Sequence, residues 1–209
     1  MDGLQARRHQ GDTSIRASLR SDQAAAINSA LGFTHTMSAV QPCEVPLGTL
    51  LRRYKDGTGF ADCYAVEVPG AITQAAFIEA FYTSPLFKVE RTILKYAVSR
   101  PATDSDAKEL AAGKAGKFSA WNVERHSPSE LLLADFTGRT RSWLSAVVAH
   151  TPNSSPHTTL YFGSAVVPRD RHGAAPNASM GWAFYALMGF HRLYSRMLLS
   201  AASKRVVRA

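Results

Sequence analysis

Ser179–Val206 reads SMGWAFYALMGFHRLYSRMLLSAASKRV, and this stretch decides the fold. It holds no proline, its apolar residues spread over more than one face of a helical projection, and Lys204, Arg205 and Arg208 close it where cations suit the negative end of a helix dipole. The spacing predicts one long helix. A helix apolar over so much of its circumference must be covered on most sides by other elements. The bilayer is not that cover. The apolar run Met180–Phe190 falls short of the ~20 residues a span requires, and Arg192 and Arg196 interrupt its continuation at a cost of ~2.5–3.5 kcal/mol each at mid-membrane.

Working back from this helix, four runs of extended character, 118–124, 130–136, 141–150 and 158–168, are separated by His126-Ser127-Pro128-Ser129, Thr137-Gly138 and Thr151–Pro156. Those breaks are rich in turn formers and short enough for hairpins, so an antiparallel meander is the economical topology. Further upstream, Ala61–Val68 (ADCYAVEV) alternates like a strand and Pro69-Gly70 ends it. Ile72, Ala76, Phe77, Ala80 and Phe81 then share one helical flank, and Thr83-Ser84-Pro85 supplies a stop, an N-cap and a proline at the first position of a second helix. Leu86, Val89, Ile93 and Ala97 recur at helical spacing in that second helix until Arg100-Pro101. Residues 101–117 read as loop, with one helical turn over Asp106–Ala112. The fold class is α+β: a helix-grip, with a curved antiparallel sheet wrapped around the C-terminal helix and two consecutive helices after the first strand.

The 209 residues suffice for one well-buried domain, and with 45% apolar and 19% charged residues the chain builds a core. Residues 1–36 are expected to be a disordered or weakly helical leader and 37–209 the single domain. The leader lacks the apolar segment of a secretory signal, and its Asp2, Asp12 and Asp22 do not suit a transit peptide, so the expected location is cytoplasmic. The formal charge of +8 is uneven: residues 139–209 hold nine Lys/Arg against one acidic residue, and the remainder nearly cancels. Arg169, Arg171, Arg192, Arg196, Lys204, Arg205 and Arg208 therefore form a basic surface that could dock on an anionic membrane. No helix-turn-helix, RNP-like motif or aromatic-interleaved basic repeat accompanies them, so nucleic acid is not the expected partner. Cys43 and Cys63 show neither CxxC spacing nor a histidine pair, so neither a zinc site nor a disulfide scaffold is expected.

Two stretches carry a resemblance. Ala61-Asp62-Cys63-Tyr64-Ala65-Val66 is similar to the first strand, and Gly181-Trp182-Ala183-Phe184-Tyr185 with Phe190-His191-Arg192-Leu193 to the C-terminal helix, of the START-like (SRPBCC, Bet v 1-like) superfamily, closest to its DUF2867 group. Met188-Gly189 stands where that group usually has a proline, and Trp143-Leu144-Ser145 matches its central strand loosely. The resemblance covers roughly residues 40–205. It implies a deep, mostly apolar cavity between sheet and C-terminal helix; relatives bind lipids, sterols or polyketides, and some catalyse cyclisation or aldol-type reactions.

The expected function is binding of an apolar or amphipathic small molecule, lipid or polyketide-like. His191 shares a helical stripe with Phe184, Leu187, Met188, Tyr194 and Leu198, which would bring a group that titrates near neutrality to an apolar wall. A core histidine with its hydrogen bonds satisfied would occupy the same stripe. Tyr64, Tyr82, Trp143 and Tyr161 join Phe184, Met188, His191 and Tyr194 as candidate ligand-binding residues, with plain core packing the favoured reading of those first four aromatics. The register that sends Trp143 and Tyr161 to one face or the other is open at this level. The alternative function is a cofactor-free cyclase or aldolase-type enzyme with His191 and Tyr194 as acid and base. No dinucleotide, phosphate, nucleophile-elbow or metal motif is present, so no cofactor and no metal are expected. Asp135, within LLLADF, calls for a partner if buried, with Arg139 or Arg141 nearest.

Overall fold

The alternation of Phe60–Pro69 sends Tyr64, Val66 and Val68 to one face and Cys63 to the other, and the strand pairs residue by residue with His157–Val166. The computed structural model describes residues 37–57, 60–149, 155–167 and 182–209, with the backbone alone at 97–98 and 182–190; the expected leader lies outside the described residues. In chain order the elements are β1 (Gln41–Pro42), α1 (Arg52–Lys55), β2 (Phe60–Pro69), α2 (Gln74–Tyr82), α3 (Pro85–Val98), α4 (Asp104–Ala111), β3 (Lys117–Phe118), β4 (Trp121–His126), β5 (Glu130–Asp135), β6 (Thr140–Ala149), β7 (His157–Val166) and α5 (Trp182–Val207). The strands form a seven-stranded antiparallel sheet in the order β1-β2-β7-β6-β5-β4-β3. The long C-terminal helix packs on β2 and β7 and against α2 and α3, the helix-grip arrangement. Among the described residues no helix is long and apolar enough to cross a membrane.

Both faces of the sheet centre are buried. On the inner face Leu131, Leu133, Leu144, Leu160 and Phe162 meet Phe77, Ile78 and Phe81 of α2 and Leu198, Leu199, Ala202 and Val206 of α5. Burying each such Leu or Phe stabilises the fold by about 1.5–3 kcal/mol. On the outer face Cys63, Leu132, Trp143 and Ala165 are covered by Val45 and Leu51 from the segment before β2. Glu130 anchors that cover, its Oε2 accepting from the Leu50 amide at 2.8 Å and from Trp143 Nε1 at 2.7 Å.

The helices after β2 start on side-chain caps: Thr73 accepts from the Ala76 amide and Ser84 from the Phe87 amide, with Pro85 at the first helical position. The helical turn expected over Asp106–Ala112 within 101–117 is α4, which begins at Asp104 on a capping box in which Thr103 and Asp106 bond each other's backbone amides. In α3 the regular stripe faces the wrong way for a core: Val89 and Ile93 are 58% and 61% exposed, whereas Phe87 is buried. α5 is covered on one side only over its described side chains, since Leu193 and Met197 are exposed opposite Ser195, Leu198, Leu199 and Ala202. Asp135 finds its partners in the backbone of its own hairpin, the amides of Arg139 at 2.7 Å and Thr140 at 2.9 Å, and not in an arginine side chain.

Gly163 sits on the outer face between Cys63 and Trp143, where a Cβ would lie 2.4 Å from Leu51 Cδ2 and 2.9 Å from the Asp62 carbonyl oxygen. The site is overpacked by a single methyl. Gly163→Ala should lower stability by about 1–3 kcal/mol in urea titrations, and an unchanged midpoint would contradict the close approach of Leu51 to this strand.

Candidate functional site

Two inward positions of adjacent strands set the first part of the site. The β2–β7 register places Asp62 opposite Ser164, and α5 lowers His191 onto the pair. Ser164 donates its hydroxyl hydrogen to Asp62 Oδ1 at 2.6 Å, and its oxygen lies 2.7 Å from His191 Nε2. With Nε2 protonated, His191 donates to Ser164 Oγ, and the same nitrogen stands 3.7 Å from Asp62 Oδ2. Tyr64, one inward step along β2, donates to Asp62 Oδ2 at 3.4 Å. Burial opposes the Asp62 charge, but the donors His191, Ser164 and Tyr64 outweigh it and hold the carboxyl below the usual carboxylate range. Burial and the Asp62 carboxylate in turn push the Tyr64 phenol up to about 12.

This is not the constellation of an acyl-transfer serine. A nucleophilic serine gives its proton to the histidine while the carboxylate holds the far ring nitrogen. Here the Ser164 proton is held by Asp62, and both partners address the same nitrogen of His191. The arrangement suits holding a polar group or moving a proton through His191.

The second polar pair joins helices. Tyr194, one turn after His191 on α5, donates its hydroxyl hydrogen to Glu90 Oε2 on α3. Burial disfavours the Glu90 carboxylate more than Tyr194 favours it, so its carboxyl titrates above the usual range. The Tyr194 phenol is raised by burial and by the Glu90 charge, and it stays a neutral donor. Between the two pairs lies a cavity of about 400 Å³ lined by Phe60, Phe81, Phe87, Trp121 and Phe162 together with Glu90, Ser164, His191, Tyr194 and Ser195. Ser195 is 1% exposed, and its hydroxyl has no hydrogen-bond partner among the described residues.

Of the residues singled out from the sequence, His191 and Tyr194 line this cavity, and Tyr64 is one bond removed through Asp62. Tyr82 packs in the aromatic cluster beside Phe87 and Phe118, with ring centroids 4.8 and 4.9 Å away. Trp143 and Tyr161 lie on the outer face, rings 6.0 Å apart, because odd positions of β6 and β7 point away from α5. Phe184 and Met188 fall where the backbone alone is described. Asp62, Ser164, Glu90 and Ser195 are additions. The signal for Asp62 was available, since it shares the strand parity of Tyr64, whereas Glu90 was hidden by the stripe in α3 that turns outward. Of the basic residues, Arg192, Arg196, Lys204, Arg205 and Arg208 are exposed on or just beyond α5, while Arg169 and Arg171 lie outside the described residues. Among the described residues no cluster of three or more metal-ligating side chains occurs.

Glu90 makes a pH prediction. Folded protein binds more protons there than the unfolded chain between the ordinary glutamate value of about 4.3 and the raised one, so stability falls as pH rises through that interval. Glu90→Gln removes the ionisation. It should raise the thermal midpoint at pH ~8 and change it little at pH ~4; equal shifts at both would show that the carboxyl is not strained by burial. No protein-family model matches the chain, and no curated protein does.

Proposed function

We propose that the protein binds one apolar or amphipathic small molecule, lipid or polyketide-like, in the cavity between the sheet and α5. The observation that carries this reading is an aromatic-walled space of about 400 Å³ with a buried Ser195 hydroxyl at its wall that has no partner among the described residues. That volume lies within the roughly 300–1,000 Å³ of small-molecule sites, and a few convergent polar groups in an apolar lining are their usual composition. The helix-grip architecture supports it too, since the START-like superfamily that the sequence resembles uses such cavities for lipids, sterols and polyketides. Glu90 lines the cavity and can accept a hydrogen bond, so a donor head group, a hydroxyl or an amine, suits it.

A second reading, cofactor-free acid/base catalysis on a polyketide-like substrate, is favoured by one observation: His191 stands at the cavity wall with Ser164 and Asp62 behind it. Under that reading His191 moves the proton. Tyr194 does not, because its hydroxyl is committed to Glu90.

Titration of the full chain with dodecanol, dodecylamine and dodecanoate tests the binding reading, followed by tryptophan fluorescence, thermal midpoint and native mass spectrometry. A one-to-one complex and a raised midpoint are expected, since a ligand at a hundredfold its Kd stabilises by ~2.7 kcal/mol. Ser195→Leu fills the space. It should abolish the response while circular dichroism and the ligand-free midpoint stay near those of the parent. Silence from all three amphiphiles, and from lipid extracts, would overturn the proposal. If an extracted ligand returned chemically altered, and His191→Ala stopped the alteration, catalysis would replace simple binding.

A further inference from the structure

We propose that Cys43 and Cys63 are a reversible dithiol–disulfide pair whose oxidation ties the segment covering the outer face of the sheet to β2. The two thiols are 20 positions apart in the chain, with sulfurs 3.3 Å apart. The register explains why. Pro42 pairs with Tyr64 in the β1–β2 ladder, so the next residue falls opposite Cys63, and the Cys43 amide donates to the Cys63 carbonyl at 2.9 Å. Directly opposed antiparallel residues have Cα separations of about 4.5–5.5 Å, inside the ~4.4–6.8 Å that a disulfide bridges. Closure to an S–S bond of ~2.05 Å asks only for side-chain rotation.

The two sulfurs are not equivalent. Cys43 is half-buried and Cys63 is 2% exposed. The hydrogen bond shared with Cys63 outweighs burial and holds the Cys43 thiol below its ordinary value, while that same bond and burial push Cys63 up. Cys43 is the attacking group and Cys63 the resolving one. The Cys43 thiolate attacks one sulfur of a small disulfide such as oxidised glutathione, its S–S bond breaks, and one glutathione thiolate leaves. Cys63 then gives its proton to that thiolate and attacks Cys43 Sγ, forming the protein disulfide and releasing the second glutathione. Two protein thiols lose two electrons, and one small disulfide is reduced to two thiols.

The bond would close a loop that includes Val45 and Leu51, the two side chains that cover the outer-face cluster around Trp143. A cross-link of this kind constrains the unfolded chain, so oxidation should raise the unfolding midpoint. Sulfurs held this close to bonding distance suit a pair that answers to redox poise.

The test incubates the full chain with oxidised glutathione, alkylates it, and reads intact mass and peptide maps. Expected are loss of two hydrogens in the monomer, a Cys43–Cys63 cross-linked peptide, a higher midpoint, and reversal by dithiothreitol. Cys63→Ser should trap one glutathione on Cys43, and Cys43→Ser should leave Cys63 unmodified over the same time. Retention of both free thiols after oxidation, or a disulfide formed only between molecules, would overturn the proposal; trapping of glutathione on Cys63 first would overturn the assigned roles. The wild-type cross-link is read without any variant, so a misfolded substitution does not blunt the test.

Discussion

Pairing of β2 with β7 runs from Phe60 opposite Val166 to Pro69 opposite His157, and it joins the first long strand to the last. One register sets chemistry on both sides of the sheet. Toward α5 it puts Asp62 beside Ser164 under His191; away from α5 it puts Cys63 beside Gly163, where the missing side chain admits Leu51. A slip of one residue would exchange the faces, bury Cys63 and Ala61 against the helix, and turn Asp62 and Tyr64 outward. The hydrophobic inner face of Tyr64, Val66, Leu160 and Phe162 and the outer cover over Trp143 oppose that slip together. Strands so distant in sequence close late and at an entropic cost, which makes this two-sided burial the element on which the architecture rests.

The cavity shows how burial and hydrogen bonding divide two carboxyls. Asp62 is buried but receives donors from Ser164, Tyr64 and His191, so its charged form is favoured. Glu90 is partly buried and receives the Tyr194 hydroxyl, and its neutral form gains. Two carboxyls therefore stand inside, Glu90 in the cavity wall and Asp62 behind Ser164, although the chain as a whole carries +8. Of the cations of the last third, Arg192, Arg196 and Lys204 on α5 and Arg208 just beyond it are exposed. Net charge thus speaks about the surface of the molecule, and the polar pairs about what enters it.

Much of the fold was legible locally. The caps at Ser84 and the proline after it, the alternation of β2, and the hairpin breaks near Ser127-Pro128 and Thr137-Gly138 all depend on neighbours a few residues away, and the structure has them where that chemistry puts them. Of the short helix α4 only the turn over Asp106–Ala112 was legible, because its start is marked by a single capping box without a long apolar period. The stripe of Val89 and Ile93 misled for a different reason: periodicity marks a helix face but not which side the partner occupies, and Phe87 and Glu90 are on the side that turns inward. Asp135 was read as seeking an arginine, while nearer backbone amides satisfied it at smaller entropic cost.

The amino-acid sequence alone determined the α+β class, the order of the elements, the long terminal helix and His191 and Tyr194 as the polar groups on its apolar stripe, because these follow from periods of two and of 3.6 and from local capping. Tertiary structure alone decided that Trp143 and Tyr161 face away from the cavity, that Asp62 and Ser164 meet His191, that Glu90 receives Tyr194, and that Cys43 touches Cys63. Each of those is a question of register or of helix rotation. Both are settled by packing energies summed over whole faces, to which any single residue contributes only a small part.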